Sequence, residues 1–542
     1  MDEKAMEKKI FYNGPIITMN ESQPSVEAVC IEGEKIIGIG SLTELQEKIK
    51  NNCKMVDLKG KTLLPGFIDC HVHAIGAIFV SLFPDFSEIY DLKGLKDHLE
   101  NAIRGKDPNK LILGFNVDEL KFKVPIFPTR WDLDEVSPNH PVFLFRHDVH
   151  SGVANSKALE LAGIDNDTIP PDGGEIQKND QGEISGILKE QAVNFIMSIL
   201  KLPEVKIIRE KASHFFKSLA KKGITSIHGL IEMDRKGGIE NLGGISIPIL
   251  KIVKNDVLQN YYSIVYTADP KKLRRIKKLP LDGGKQDSKF KVGCIKAWMD
   301  GTLRTSTAFM NEPFTDQLDN SGYCVIDEDE LYNRMKNAHN LDYQMAVHAI
   351  GDKANRIVVN LYKKLLKEYP KADSRHRIEH ASLLTEDVLK DMKECRIIAS
   401  CQPTFLYSEF DWIEKRIGKE RCKYTYPFKS IVNEGIILAA GSDCPVEDPN
   451  PFLGLYNLVT RNNFIPEECL TIEEALKTYT INGAYASFEE DIKGSIEVGK
   501  LADLVILDKN PFDVPKDKIR DIHVLETIIR GKTVYKNHFN FI

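Results

Sequence analysis

The chain has 542 residues, of which 42% are hydrophobic and 28% are charged. That composition is typical of a folded globular protein and excludes a disordered or fibrous chain. The formal net charge of −6 gives no reason to expect nucleic acid or an anionic membrane as a partner.

The ten cysteines contain no Cys-x-x-Cys pair, which argues against a disulfide framework or a zinc ribbon. No apolar run approaches the roughly 20 residues that cross a bilayer. The charged segment 1–14 lacks the apolar stretch of a signal peptide. We therefore expect a reduced, cytoplasmic protein with neither nucleic acid nor membrane as a partner.

The two ends of the chain share a β-rich pattern. Near the N-terminus, alternating apolar residues are interrupted by turns that contain Gly14, Gly33 and Gly60, and such turns are hairpin signals. The C-terminal segment alternates in the same way. We predict that residues 1–65 and 486–542 together form one small β-sandwich.

Between these ends, short β-rich segments alternate with helical patterns. The β-rich segments include CIKAWM, QMAVHAI, RHRIEHA, RIIASCQP and GIILAAGSD. One helix is expected to begin after Thr471, because Thr471 and Glu474 have the spacing of a capping box. Repeated strand–helix units indicate an α/β fold with a parallel sheet. Their number predicts a distorted (β/α)8 TIM barrel over residues 66–485, with an insertion at about 110–215.

Polar residues interrupt the ends of several of these apolar segments. His71 and His73 are two residues apart in LLPGFIDCHVHA, so in a strand both side chains would face the same side. Two convergent imidazoles suit a divalent metal. His348, His380 and Asp443 come at the ends of three later segments. Barrel enzymes hold their catalytic groups at this end of the strands.

Each of these residues also has a simpler structural interpretation. A histidine such as His348 can be a hydrogen-bonded core residue, and Asp443 can cap the following helix. Lys296, inside CIKAWM, can extend its ammonium group to the barrel rim. A buried charge is costly without a partner, so Lys296 and Asp443 both require one. The joint placement of all six polar residues at strand ends favours a metal site.

The chain resembles the amidohydrolase superfamily and, within it, the YtcJ-like branch known as amidohydrolase-3. The resemblance lies in motifs spread over nearly the whole chain, namely PGFIDCHVH, IKAWMDGTL, AVHAIGD, RIEHASLL, GSDCPVEDPNP and KGSIEVGKLADLVILD. Residues 128–159 also resemble the insertion that this branch carries after its first barrel strand. The resemblance implies a binuclear metal centre. His71 and His73 would bind one ion with Asp443, while His348 and His380 would bind the second.

Lys296 matches the lysine that reacts with CO₂ in such members, and the resulting carbamate would bridge both metals. Burial disfavours an ammonium ion, and the neutral amine can attack CO₂ to give an anion that two cations stabilise. Zinc is the expected metal, at two Zn²⁺ per chain, with iron, manganese or nickel as alternatives.

The reaction that such a centre implies is hydrolysis, by metal-activated water, of a carbon–nitrogen bond other than a peptide bond. An amide, N-acyl or N-formyl group of a small molecule fits this description. Asp443 would be the catalytic residue that accepts a proton from water and passes it to the leaving amine. Two alternatives stay open: an ester, lactone or phosphoester hydrolase on the same metal site, and a catalytically silent barrel that acts as a scaffold or binding protein.

Four residues outside the ligand set are candidate substrate contacts: Asp148, His150, His228 and Arg304. Arg146 and Asp148 could equally form an ion pair that holds the insertion together. The loop DGTLRTSTA departs from the family pattern, since Arg304 replaces a glycine and Ser306 stands where an arginine is usual. Substrate identity is therefore open. A homodimer is common among related barrels, but no segment of this sequence indicates an interface.

Overall fold

The computed structural model describes residues 7–49, 53–147, 151–171, 174–234, 245–276 and 288–537. The chain forms two compact units. The barrel unit comprises Met1–Ala74, His214–Ile231 and Asn255–Ile542. The insertion unit comprises Ile75–Ser213 and Glu232–Lys254.

The barrel unit is built around an eight-stranded sheet with parallel neighbours. The first strand, FIDCHV, is buried at every position, as expected for a strand covered on both faces. The predicted barrel is therefore confirmed. In chain order its strands are Phe67–Val72, Ile224–Glu232, Asn260–Tyr266, Phe290–Trp298, Gln344–Ala349, Arg377–His380, Ile398–Cys401 and Leu438–Ala440.

The barrel closes along a seam between its first and last strands. The backbone N–H of Asp443 donates to the carbonyl of His71 at 2.7 Å. Asp69 accepts two bonds across the seam, from Ser442 Oγ at 2.6 Å and from Ser442 N at 2.9 Å. Gly441 leaves no room for a side chain here, because a Cβ would lie 2.5 Å from the backbone nitrogen of His71. The seam therefore holds the segment around His71 against that of Asp443.

Helices alternate with the strands as the sequence pattern predicts. The capping box at Thr471 is confirmed, since its backbone N–H donates to Glu474 Oε2 at 2.9 Å and its hydroxyl accepts from Glu474 N at 3.2 Å. The helices are Leu42–Ile49, Ala74–Val80, Leu92–Ile103, Arg130–Asp134, Ser156–Ala162, Val193–Ser198, Val205–Lys221, Ser246–Val253, Pro270–Leu273, Glu328–Asn340, Asp352–Glu368, Glu386–Glu394, Pro403–Glu409, Ile413–Ile417, Lys419–Cys422, Phe428–Asn433, Pro451–Thr460, Ile472–Thr478 and Ile481–Tyr485.

N-terminal strands form a four-stranded sheet, and strands from both ends of the chain form a six-stranded sheet, which confirms the predicted β-structure of the termini. Phe11 and Ile31 of one sheet share a hydrophobic cluster with Leu63 and Leu504 of the other. The four-stranded sheet has the order Lys35–Gly40, Ala28–Glu32, Lys8–Tyr12 and Cys53–Asp57. The six-stranded sheet has the order Lys532–Lys536, Val524–Ile529, Leu504–Leu507, Thr62–Pro65, Ile16–Ile17 and Ser25–Val26.

The insertion unit has its own mixed sheet and hydrophobic core. The core includes Leu99, Leu133 and Leu144, each with no exposed surface. Across the described ranges of the whole chain, no helix is both long and apolar enough to cross a bilayer. The mixed sheet of the insertion unit has the order Gly174–Lys178, Ile184–Glu190, Ser151–Ala154, Val142–Arg146 and Ile112–Val117.

Candidate metal centre

Three of the predicted ligands converge where the barrel closes. The ligand atoms of His71, His73 and Asp443 all lie within 4.8 Å of one another, and the three side chains are buried. Asp443 Oδ1 is 3.3 Å from His71 Nε2 and 2.9 Å from His73 Nε2. Two imidazole nitrogens and a carboxylate oxygen form a donor set that suits Zn²⁺ or a similar divalent cation.

Buried donor atoms in this region fit a metal ion. His71 Nε2 and His380 Nδ1 have no hydrogen-bond partner among the described residues, although both are shielded from solvent. Buried polar atoms are normally satisfied, so a cation is the natural partner for two imidazole lone pairs. The backbone at His380 and Asp443 also adopts positive φ angles of 69° and 60°. Such strained backbone is characteristic of functional sites, where the fold holds a side chain in a required direction.

The other predicted ligands lie on neighbouring strands. The rings of His348 and His380 are 4.4 Å apart between centroids, and the His380 ring is 5.4 Å from the His71 ring. Lys296 is only 2% exposed and lies beside the fifth strand, where its register partner is Ala346. Neither His348 nor His380 belongs to the set of three whose ligand atoms meet within 4.8 Å.

The protonation states of these side chains are those that a divalent metal requires. Burial lowers the pKa of His71, and the nearby charge of Lys296 lowers it further. Burial, with the same lysine, lowers the pKa of His348 to about 3. Burial opposes ionisation of Asp443, but the imidazoles of His71 and His73 hold the pKa of its carboxyl below the ordinary value. Neutral imidazoles and an ionised carboxylate are ready to coordinate a cation.

A buried ionic network orients His71. His71 Nδ1 bonds to Glu379 Oε2, and Arg377 pairs with the same carboxylate, with both charged side chains fully buried. Arg377 Nη2 also donates to Ser400 Oγ at 2.7 Å, and Ser400 Oγ donates to Glu379 Oε2 at 2.9 Å. Because Nδ1 is engaged by a carboxylate, Nε2 is the nitrogen left for a metal, which is how outer carboxylates fix metal-binding histidines.

Asp300 organises the loop that follows the fourth barrel strand. Its carboxylate accepts backbone bonds from Ile350 at 3.0 Å, Gly351 at 2.8 Å and Phe309 at 2.9 Å. Its Oδ1 lies 3.6 Å from His348 Nε2. Burial raises the pKa of this carboxyl to about 7, and the backbone donors oppose that rise. The loop is thereby tied to the segment that follows His348.

The candidate substrate contacts occupy different environments. His228 is fully buried, and its Nδ1 lies 3.1 Å from Arg377 Nη1 in the ionic network. Its role in substrate binding stays a prediction. Arg304 is exposed and donates to the carbonyl of Ser408 at 3.5 Å. Asp148 and His150 lie outside the described residues. Within the insertion unit, the Arg146 guanidinium pairs with the buried carboxylate of Glu119.

Sequence reasoning overlooked Glu379, Arg377 and Ser400. A signal was present, since Arg377 and Glu379 are two residues apart in an apolar segment and must share a face of the strand. A buried arginine and glutamate on one face imply an ion pair, because neither charge is tolerated alone.

Comparisons with known proteins agree with this geometry. The amidohydrolase family profile matches residues 54–535. The protein YtcJ of Bacillus subtilis (strain 168) is 30% identical over 543 residues, covering 98% of this chain and 99% of the relative. An N-substituted formamide deformylase of Arthrobacter pascens is 26% identical, covering 98% of this chain and 99% of the relative.

A solved structure of similar architecture is described as an uncharacterized metal-dependent hydrolase from Pyrococcus furiosus. It is 28% identical, superposes with a TM-score of 0.74, and covers 93% of this chain and 100% of its own. The length of the profile match, the barrel and the converging histidines and aspartate lead to one assignment: the chain belongs to the amidohydrolase family of metal-dependent hydrolases.

Proposed function

We propose that this protein hydrolyses a carbon–nitrogen bond, other than a peptide bond, in a small amide, N-acyl or N-formyl compound. The observation that carries the proposal is the convergence of Asp443 with His71 and His73 in one buried set of ligand atoms. The similarity to an N-substituted formamide deformylase along nearly the whole of both chains supports the choice of bond.

In this proposal His71, His73 and Asp443 hold one divalent cation, and His348 and His380 hold a second. Zinc is the expected ion, since imidazole and carboxylate donors suit it, with iron, manganese or nickel as alternatives. When bound, such cations supply Lewis acidity towards the scissile carbonyl and bring the pKa of water down to about 7.

Lys296 is proposed to carry a carbamate. Its amine nitrogen would attack the carbon of CO₂, forming an N–C bond and releasing one proton, and the product would offer two oxygen donors between the metals. The proposal is supported by the position of Lys296, whose charge contributes to the lowered pKa values of His71, His348 and His380. One lysine therefore acts electrostatically on histidines from both proposed ligand pairs.

Asp443 is proposed to move the proton in the reaction. Its ionised carboxylate would accept a proton from the attacking water as the new C–O bond forms. It would then give that proton to the nitrogen as the C–N bond breaks, so that the products are a carboxylic acid and an amine. A positioned acid–base group of this kind contributes about 10²–10⁴-fold to a rate.

The test is metal analysis of the purified protein beside Lys296→Ala, with Lys291→Ala on the same strand as the matched control. We expect two ions per chain, a clear loss in Lys296→Ala and no loss in Lys291→Ala. One ion per chain in all three proteins would contradict the bridged centre. A screen of amides against esters, lactones and phosphoesters separates the proposed reaction from its chemical alternative. Absence of metal after supplementation with zinc, manganese and bicarbonate would favour the silent barrel.

A further inference from the structure

A cleft in the barrel unit has the composition of an anion-binding site. It has a volume of about 270 Å³ and is lined by Arg304, Asp316, Trp412, Lys415 and Arg416. We propose that this cleft binds a carboxylate group of the substrate, so that the preferred substrates are amides with an anionic arm. The inference rests on the proposed function, because it places the cleft beside the reaction that the metal centre performs.

The side chains that line the cleft carry more positive than negative charge. Its single carboxylate, Asp316, is engaged by Arg416 Nε at 2.9 Å. Arg416 is further held by the carbonyl of Leu303 at 3.2 Å. Within the described part of the chain, neither Arg304 nor Lys415 forms an ion pair with a carboxylate. Neither cation is therefore held in an ion pair, and a guanidinium fork is well suited to a carboxylate.

One short helix links the cleft to the metal centre. Near the start of helix Pro403–Glu409, the ring of Phe405 stacks on that of His380 at 5.7 Å between centroids. Three residues later, the carbonyl of Ser408 accepts from Arg304 Nη2 at 3.5 Å and from Trp412 Nε1 at 3.1 Å. Three residues of helix rise only about 4.5 Å, so about one helical turn separates the residue that stacks on His380 from the residue that contacts Arg304 and Trp412.

The electrostatic environment of Glu447 provides a second link between the cleft and the metal centre. It lies four residues after Asp443, and the raised pKa of its carboxyl is due first to burial. The charges of Arg304 and Asp443 both act on that carboxyl, in opposite directions. Arg304 and Asp443 therefore both act electrostatically on one side chain, that of Glu447.

The aromatic wall of the cleft refines the substrate class. The guanidinium carbon of Arg304 lies 5.6 Å from the centre of the Trp412 ring, and that of Arg416 lies 5.8 Å from it. An indole flanked by cations offers apolar surface to the part of the ligand next to its charge. An N-acylated amine with an apolar body and a carboxylate meets each of these requirements.

Binding is tested first with probes that contain no hydrolysable bond. Isothermal titration calorimetry would compare 3-phenylpropionate with neutral 3-phenylpropanol on the metal-loaded protein. We expect the carboxylate to bind at least about 10-fold more tightly, since charge-assisted bonds are worth that ratio or more. Arg304→Gln and Lys415→Gln should each remove most of this preference. Lys419→Gln, on the next helix and outside the cleft, is the control that should keep it.

Equal affinity for the two probes, or a preference that survives Arg304→Gln, would overturn the inference. Turnover is then measured with N-acetylphenylalanine and N-acetylphenethylamine, which differ only by the carboxylate. We expect the ratio of their kcat/KM values to fall about 10-fold in Arg304→Gln. An unchanged ratio would refute carboxylate binding in the cleft but would not contradict the proposed hydrolysis. Arg304-dependent binding without hydrolysis of any amide would refute the proposed hydrolysis but would support carboxylate binding in the cleft.

Discussion

His71 and Glu379 are joined by a buried bond between Nδ1 of the imidazole and Oε2 of the carboxylate. This contact leaves Nε2 of His71 facing Asp443 Oδ1 at 3.3 Å. Glu379 is in turn neutralised by Arg377, so the orientation of one expected metal ligand depends on a charge pair with no exposure to solvent. The buried Arg377–Glu379 pair therefore orients His71 without being among the proposed metal ligands.

Replacing Glu379 by Gln should weaken metal binding. The substitution leaves the guanidinium of Arg377 buried without its counter-charge, which typically costs about 3–5 kcal/mol of stability. Loss of an outer carboxylate also lowers metal affinity about 10–100-fold. Metal titration and chemical unfolding measure the two effects. Ser400→Ala, which removes only a hydroxyl from the same network, should cost about 1–3 kcal/mol. Wild-type metal affinity in Glu379→Gln would contradict the orienting role.

Replacing Asp443 by Asn should abolish most turnover while the barrel stays folded. The amide cannot accept a proton from water, so kcat at saturating zinc should fall about 10²–10⁴-fold. The control is Asp448→Asn, an exposed carboxylate on the following loop that pairs with Lys222. Steady-state kinetics with an amide that the wild type hydrolyses would measure this fall in kcat. Turnover near the wild-type rate in Asp443→Asn would reject its role as proton carrier.

Replacing Gly441 by Ala should disturb the metal site through the backbone. The added Cβ would lie 2.5 Å from the nitrogen and 2.8 Å from the Cβ of His71, so the first and last strands must separate. Overpacking of this kind costs about 1–3 kcal/mol, and His71 would shift with its strand. Ser442→Ala provides the comparison, since it removes the 2.6 Å bond to Asp69 without adding an atom. Metal content and the thermal midpoint of both variants report the result. An unaltered Gly441→Ala protein would show that the seam is looser than described.

Acid should destabilise the fold through a second histidine pair. His376 Nδ1 accepts from the backbone of Met345 at 3.0 Å, and its Nε2 is 2.8 Å from His339 Nδ1. Burial lowers the pKa of His376 to about 3. The unfolded chain, with a histidine pKa of about 6.5, therefore binds more protons than the folded chain between about pH 6.5 and 3. Stability that is present at pH 7 is lost as the pH falls through this window.

His376→Gln should reduce that acid sensitivity, because the amide can accept from Met345 or donate to His339 without titrating. Between pH 7 and pH 5, one such histidine accounts for about 2 kcal/mol of the change in unfolding free energy. Urea unfolding at the two pH values, for wild type and variant, measures the difference. Identical pH dependence in the two proteins would assign the acid sensitivity to other groups.

Much of the fold could be predicted because local pattern and tertiary structure agree. The β-rich segments around Lys296, His348 and His380 are barrel strands, and their polar residues lie where barrel enzymes hold catalytic groups. The spacing of His71 and His73 indicated a shared face, and the structure brings both to Asp443. These features depend on short-range periodicity, which a sequence displays directly.

Contacts between distant segments could not be predicted in this way. Arg416 contacts Ser306 and the carbonyl of Leu303, more than 100 positions earlier in the chain. The sequence reveals that Ser306 replaces an arginine, but not that another arginine reaches the same loop from a later helix. Such pairings depend on how the loops of separate strand–helix units pack, and no local pattern records it.

The seam between Asp69 and Ser442 means that the candidate metal centre is completed late in synthesis. These partners are 373 positions apart, and ribosomes add about 5–20 residues per second, so the first strand waits tens of seconds for its neighbour. During that interval the incomplete barrel presents an unpaired strand edge, which is prone to aggregation. A chain truncated before residue 443 therefore lacks one member of the candidate metal centre and is exposed to chaperones and proteases.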